Sequence, residues 1–253
     1  MDTRQPRRRA PAGQLHGAVN RMKRDSSTEG PRVAAPDRTI RSVRAWTTLL
    51  LVTVIGAFAD LVSKSAAFER VADYPVVIRR ADVLAAGPNG IRGLIPPHES
   101  VTFIPYVLEF RLVLNPGAVF GVGPGKRWFF VAFTMLAIGM AMWAFVKWTT
   151  PRNLSAHIGL GLVLAGGLGN LYDRLVFGCV RDFLHPLPGV MLPFGWSWPS
   201  GAREVWPWVS NVADALLLIG IGLLVIHLWR MDAGHRDADT AAPSAEAEPT
   251  PTE

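Results

Sequence analysis

The chain has a single cysteine, Cys179, so no internal disulfide can form and nothing indicates an oxidatively stapled fold. Cys179 lacks a matched histidine partner and reads as a small packing residue, not a nucleophile. The six histidines show no pair spacing near the acidic residues, which argues against zinc, and no metal site is expected. No Gly-Lys-Ser/Thr follows the glycine run Gly166-Gly167-Leu168-Gly169 and no strand-like segment precedes it, which excludes a nucleotide phosphate loop. Charge is also missing from the block 128–146, so it offers no acid to relay protons, which counts against a proton-coupled transporter.

What the chain has in quantity is apolar sequence. Hydrophobic residues make up 49% of 253 residues, and they fall in four blocks of spanning length, at about 43–68, 128–146, 154–172 and 209–229. A soluble domain would have to enclose four all-apolar helices, so a polytopic all-α membrane protein is the expectation. The net charge of +6 is uneven, with Arg7-Arg8-Arg9 and 21–24 basic and the stretch 232–253 acidic. The basic start fits a cytoplasmic tail near anionic lipid better than nucleic-acid binding, and 1–42 is too long for the basic region of a cleaved signal peptide. Both 1–42 and 231–253 read as disordered tails flanking a four-helix membrane domain at 43–230. With both termini cytoplasmic, the link carrying Lys147 and Arg152 is cytoplasmic too, as the positive-inside rule requires. The segments 69–127 and 175–208 then lie outside, the first with strand-prone runs at 100–104 and 107–114 and the second a loop rich in Pro, Gly and Trp.

That topology gathers Asp60, Asn115, Asp173, Asp182, Asn211 and Asp214 toward the outer face. Ionisable groups beside membrane spans are costly and mark functional sites by default. Asp60 and Lys64 are four residues apart on one helical face, either an ion pair with Lys64 snorkelling outward or part of a site. Asn115-Pro116-Gly117-Ala118-Val119-Phe120-Gly121 reads as a turn, although the Asn115 amide also suits binding of a substrate main chain. Gly169-Asn170-Leu171-Tyr172-Asp173-Arg174 closes the third span, with Arg174 an interface anchor or a contact for lipid phosphate. Asp214 opens the fourth span one turn after Asn211. If the third and fourth helix ends pack together, its carboxyl and that of Asp182 meet, and one must keep its proton. Two such groups can activate water and polarise a peptide carbonyl.

These blocks, taken in order, resemble the lipoprotein signal peptidases (signal peptidase II), membrane aspartyl peptidases of bacteria. The residues that carry the resemblance are Asp60-Leu61-Val62-Ser63-Lys64, the 115–121 block, Gly169 to Arg174 with Gly178, Val180-Arg181-Asp182-Phe183, and Asn211-Val212-Ala213-Asp214. The resemblance covers about 45–230. It implies four transmembrane helices with a small extracytoplasmic β-cradle, and a catalytic dyad of Asp182 and Asp214. Asp60, Lys64, Asn115, Gly117, Asn170, Asp173, Arg174 and Asn211 then shape the site or position substrate. The implied substrate is a lipidated prolipoprotein, cut just before its diacylglyceryl-modified cysteine. The implied setting is a monomer in the bacterial plasma membrane, in contact with membrane lipid and not nucleic acid, working from the extracytoplasmic side without a cofactor.

The chain departs from the family pattern in four places. Arg181 stands where an apolar residue usually precedes the aspartate, either holding Asp182 ionised or pointing to lipid headgroups, and Ser210 replaces an aromatic. The segment between the two aspartates and the loop 69–101 are longer than typical. Presenilin- and prepilin-type peptidases are the nearest enzymatic rivals, but their Gly-x-Gly-Asp motif is missing and they leave the order of the blocks unexplained.

Overall fold

A computed structural model describes residues 39–117 and 127–241, with side chains described as far as 233. The tails at 1–38 and 242–253 and the Ala118-Val119-Phe120-Gly121 part of the turn motif lie outside the described residues. Four long apolar helices form the body: α1 (Val43–Arg70), α3 (Arg127–Trp148), α4 (Leu154–Val176) and α5 (Val212–Ala241). All four are long and apolar enough to cross a membrane. A shorter helix, α2 (Arg80–Gly90), lies in the segment after α1 and is kinked at Gly87 (φ 62°) ahead of Pro88. Strands β1 (Val101–Ile104), β2 (Leu108–Asn115) and β3 (Val180–Pro186) form an antiparallel sheet in the order β1-β2-β3.

α1 begins at Ser42, whose hydroxyl accepts from Ala45 N at 3.2 Å and satisfies one free amide of the first turn. Its buried residues Ala45, Leu49, Thr53, Gly56, Asp60, Lys64 and Ala67 recur at intervals of three and four, so they share one face. The residues opposite, among them Leu51, Val54, Ile55 and Phe58, are exposed, as a lipid-facing surface should be. Asp60 and Lys64 are therefore on the protein face of the span.

α4 is the central helix. Of its spanning window 67% is buried, against 28% in α1 and 11% in each of α3 and α5. Its small residues permit this closeness, since helices in lipid associate through packing rather than expulsion of water. A Cβ at Gly159 would stand 3.1 Å from Gly220 O, and one at Gly220 would stand 2.8 Å from Gly159 O, so α4 and α5 cross glycine to glycine. Further along, a Cβ at Gly166 would collide with the carbonyl of Ala213, and one at Gly169 with the Asp60 carboxylate.

The sheet stands on the end of this bundle. Phe68, Ala72, Val83, Ile91, Leu112, Leu114, Cys179 and Phe183 form one buried cluster joining the end of α1, α2 and the sheet. A second cluster, with Leu49, Phe145, Leu160 and Leu164, fills the bundle itself. Cys179 sits 1% exposed in the first cluster. Burial, with the negative charges of Asp173 and Asp182, pushes its thiol up to about 12, so it stays protonated and packs as an apolar group.

Three boundaries differ from the sequence expectation. β3 occupies part of the region read as a loop, because its charged side chains all find partners within the fold. α5 runs on to Ala241, beyond the expected end of the span at 229, through an alanine-bearing stretch compatible with helix. At the other end, Thr39–Arg41 forms a 3-10 turn and the Thr39 hydroxyl donates to the carbonyl of Thr149, so the packed chain starts before 43.

Replacing Gly166 by Ala should lower the thermal midpoint in detergent by an overpacking cost of about 1–3 kcal/mol. Gly222→Ala should leave the midpoint nearly unchanged, since a Cβ there meets nothing within 4 Å. Equal shifts in the two variants would contradict the close α4–α5 approach.

Candidate active site

Five elements deliver the site. α1 supplies Asp60 and Lys64, and the end of β2 supplies Asn115 with Gly117 following. α4 supplies Asn170, Asp173 and Arg174, β3 supplies Asp182, and the start of α5 supplies Asn211 and Asp214. All ten residues expected from the sequence fall in this one region, though not in equivalent positions.

At its base is a charge cluster with no solvent exposure at Asp60, Lys64 or Asp173. Lys64 Nζ donates to Asp60 Oδ2 at 2.8 Å and to Asn170 Oδ1 at 3.0 Å, and lies 3.4 Å from Asp173 Oδ2. It does not snorkel outward, because the α1 face that carries it is turned toward α4. Arg181 completes the cluster: its backbone N–H reaches Asp173 Oδ2 at 3.0 Å and its Nη2 reaches Asp173 Oδ1 at 2.9 Å. The guanidinium lies 4.1 Å above the Phe177 ring. Arg181 therefore neither pairs with Asp182 nor points to headgroups. Neighbouring strand residues point to opposite faces, and the arginine takes the face toward Asp173. Two anions and two cations balance, as charges removed from water must.

The helix start of α5 is built from the same residues. Asn211 Oδ1 accepts from Asp214 N at 3.1 Å, and Asp214 Oδ2 accepts from Asn211 N at 3.1 Å, a reciprocal capping box. Asp60 Oδ1 accepts from Ala213 N at 2.8 Å, so an acid on α1 satisfies another free amide of α5. Ser210 holds the approach to α5 against β3: its carbonyl accepts from Phe183 N and Leu184 N, each at 2.8 Å, and its N–H donates to Leu184 O at 2.7 Å.

Above this base the two remaining carboxyls are linked through amides. Asn211 Nδ2 donates to Asp182 Oδ1 at 2.6 Å and to Asn170 Oδ1 at 3.2 Å. Asn170 Nδ2 donates to Asp214 Oδ1 at 2.9 Å. The Asn115 side chain also hydrogen-bonds Asp182, while its Oδ1 accepts from Gly117 N at 2.9 Å. Turn and amide contact thus coexist at Asn115. Gly117 has φ 100°, and a Cβ there would stand 2.7 Å from the Phe130 ring, so both backbone and space favour glycine. Arg174 Nη1 donates to Asn170 O at 3.2 Å, and its guanidinium lies 5.5 Å from the Phe130 ring in the field of Asp182 and Asp214.

Asp182 is 2% exposed, whereas Asp214 is half-buried. Burial first, and then the negative charge of Asp214, pushes the Asp182 carboxyl up to about 8, against the pull of the Asn211 and Asn115 hydrogen bonds and of Lys64. At neutral pH it keeps its proton. Among the described residues no group of three or more His, Cys, Asp or Glu side chains is placed to hold a metal ion.

A family profile described as signal peptidase (SPase) II matches residues 52–230, a stretch that contains this whole constellation. The chain belongs to the signal peptidase II family. It is a membrane peptidase of that family by its four apolar helices as well as by its sequence. The lipoprotein signal peptidase of Desulfitobacterium hafniense is 35% identical over 150 residues, covering 59% of this chain and 87% of that protein. That of Syntrophotalea carbinolica is 28% identical over 174 residues, covering 66% and 99%. A solved bacterial membrane enzyme at 2.3 Å resolution shares the fold, with a TM-score of 0.50 and 24% identity over 80% of this chain and 94% of that one.

Sequence reasoning missed the Arg181–Asp173 pair and the Asp60–Ala213 cap, since both contacts depend on how β3 and α5 dock. For the raised Asp182 carboxyl, the folded protein holds a proton that the unfolded chain has released, so stability should fall as pH rises from about 4 toward about 8. Asp182→Asn should flatten that part of the pH–stability curve in detergent unfolding. An unchanged slope in the variant would assign the pH dependence to other groups.

Proposed function

We propose that this signal peptidase II cleaves the signal peptide of diacylglyceryl-modified prolipoproteins, just before the lipidated cysteine, with Asp182 and Asp214 as the catalytic pair. The observation that carries the proposal is the joining of these two carboxyls through Asn211 and Asn170. The lipoprotein signal peptidases named above supply the substrate class.

In this mechanism Asp214, the more accessible carboxyl, takes a proton from water, and the oxygen attacks the scissile carbonyl. Asp182, protonated, donates to the carbonyl oxygen and so stabilises the charge that develops there. The tetrahedral intermediate collapses as the C–N bond breaks, and the proton gathered by Asp214 passes to the leaving amine. Asn170 and Asn211 hold both carboxyls in register, while Asp60, Lys64 and Asp173 maintain the helix ends that carry them. Arg174, on the side of the two carboxyls, and Asn115 are placed to hold the substrate main chain. No step of this mechanism calls for a metal or cofactor.

Residues 43–230 are the peptidase domain in this account. Lys147 and Arg152, at the link between α3 and α4, support a cytoplasmic side for that end of the bundle by the positive-inside bias, and the proposed topology puts both termini there. The opposite end, with the sheet and the carboxyl pair, is then extracytoplasmic in the plasma membrane, within reach of a lipid-anchored substrate.

Asp182→Asn and Asp214→Asn should each lower cleavage of a lipidated prolipoprotein by about 10²–10⁴-fold, the range of general acid–base catalysis, with insertion in the membrane retained. Undiminished processing by either variant would remove that residue from the pair.

A further inference from the structure

The stretch 187–209 between β3 and α5 is not used by the peptide chemistry. It folds as a small lobe with its own hydrogen bonds: Leu192 N to Arg203 O and Val205 N to Val190 O, each at 2.7 Å, and Trp198 N to Ala202 O at 2.8 Å. The Trp198 indole N–H donates to Glu204 O at 2.9 Å. Its root is fixed by His185, whose ring nitrogens lie 2.7 Å from Glu109 Oε1 and 3.2 Å from Trp206 O. With these hydrogen bonds made and the root anchored, the outward display of its side chains belongs to the fold.

Several of those side chains are large and apolar. Phe194 is 90% exposed, Trp196 66% and Met191 57%. From Pro186 to Ala202 there is no Asp, Glu, Lys or Arg. Phe194 sits at φ 58°, a conformation unfavourable for a bulky residue, and it directs an aromatic ring away from the protein. The charges of the lobe are the exposed Arg203, whose guanidinium comes within 3.9 Å of where a Cβ at Gly195 would stand, and the half-buried Glu204, 3.5 Å from His185. Exposed aromatics beside a single free-standing cation are a poor match for water and suit the headgroup boundary, where an arginine can reach lipid phosphate. The lobe is also continuous with a membrane span. It leads through Trp206 and Trp208, whose rings are 5.9 Å apart, into α5 at Val212. At its other end Leu187 N donates to Val107 O at 2.9 Å, beside the exposed Tyr106 and Val107 of the β1–β2 turn.

We propose that this lobe is a monotopic membrane anchor, with Met191, Phe194 and Trp196 seated among the lipids at the interface beside α5. Aromatic side chains settle at the boundary between headgroups and acyl chains, and an apolar face of this kind sinks about 5–10 Å into it. The seat holds the sheet, and with it β3, at a fixed height over the bilayer. It does not depend on the aspartyl chemistry.

The test is site-directed fluorescence on the full chain in phosphatidylcholine–phosphatidylglycerol vesicles. Phe194→Cys and, separately, Trp196→Cys would be labelled with an environment-sensitive fluorophore, Cys179 staying silent because it is buried. The expected result at both positions is loss of emission with nitroxide-labelled lipid chains and little loss with aqueous iodide. Quenching by iodide and not by the lipid would overturn the anchor. Shielding from both quenchers would overturn it too, in favour of a covering protein or a second copy. Helical circular dichroism of each labelled variant checks the fold, and two independent positions keep one failed variant from deciding the outcome.

Discussion

The ammonium of Lys64 is the constraint on which the rest of the structure depends. It has no exposure and lies in a helix of spanning length. A charge in that position persists only if the fold surrounds it with anions and acceptors, and Asp60, Asp173 and Asn170 do so. Each partner brings a further element with it. Asp60 caps α5 at Ala213, Asp173 fixes β3 through Arg181, and Asn170 reaches Asp214. One buried cation thereby sets four elements in relation to one another, and loss of a partner would leave an uncompensated charge, a cost of about 3–5 kcal/mol.

The same groups connect folding with chemistry. Asn211 and Asp214 form the capping box that starts α5, and Asn211 also bridges to Asp182. The geometry that satisfies the helix terminus therefore sets the spacing of the two carboxyls. The close passage of α4, made possible by Gly166 and Gly169, brings Asn170 into that bridge. Asp182 needs a different support. As a strand residue paired with Val113 it is held by the sheet and kept from solvent, which is what raises its carboxyl.

Much of this was legible in the chain. The spans were plain from the length and apolarity of the four blocks, and the first two strands from β-prone runs. Strand β3 was not, because Val180–Pro186 carries Arg181, Asp182 and His185, a pattern that reads as loop until Asp173, Asn211 and Glu109 are known to meet them. The helix Arg80–Gly90 was hidden by Gly87 and Pro88. The spacing of Asp60 and Lys64 put them on one face, yet which way that face pointed depended on where α4 packs. Spacing also left Asp173 and Asp182 equivalent. The structure gives them different surroundings, two cations around Asp173 and the amides of Asn211 and Asn115 at Asp182.

In the proposed mechanism the two linked carboxyls divide their work because one keeps its proton at neutral pH. Infrared titration of the carboxyl C=O stretch in the membrane-embedded protein tests it most directly. The expected result is a protonated-carboxyl band that persists at neutral pH, disappears as pH rises through about 8, and is absent from Asp182→Asn. A band already lost in mildly acidic solution, or one unchanged by that substitution, would contradict it.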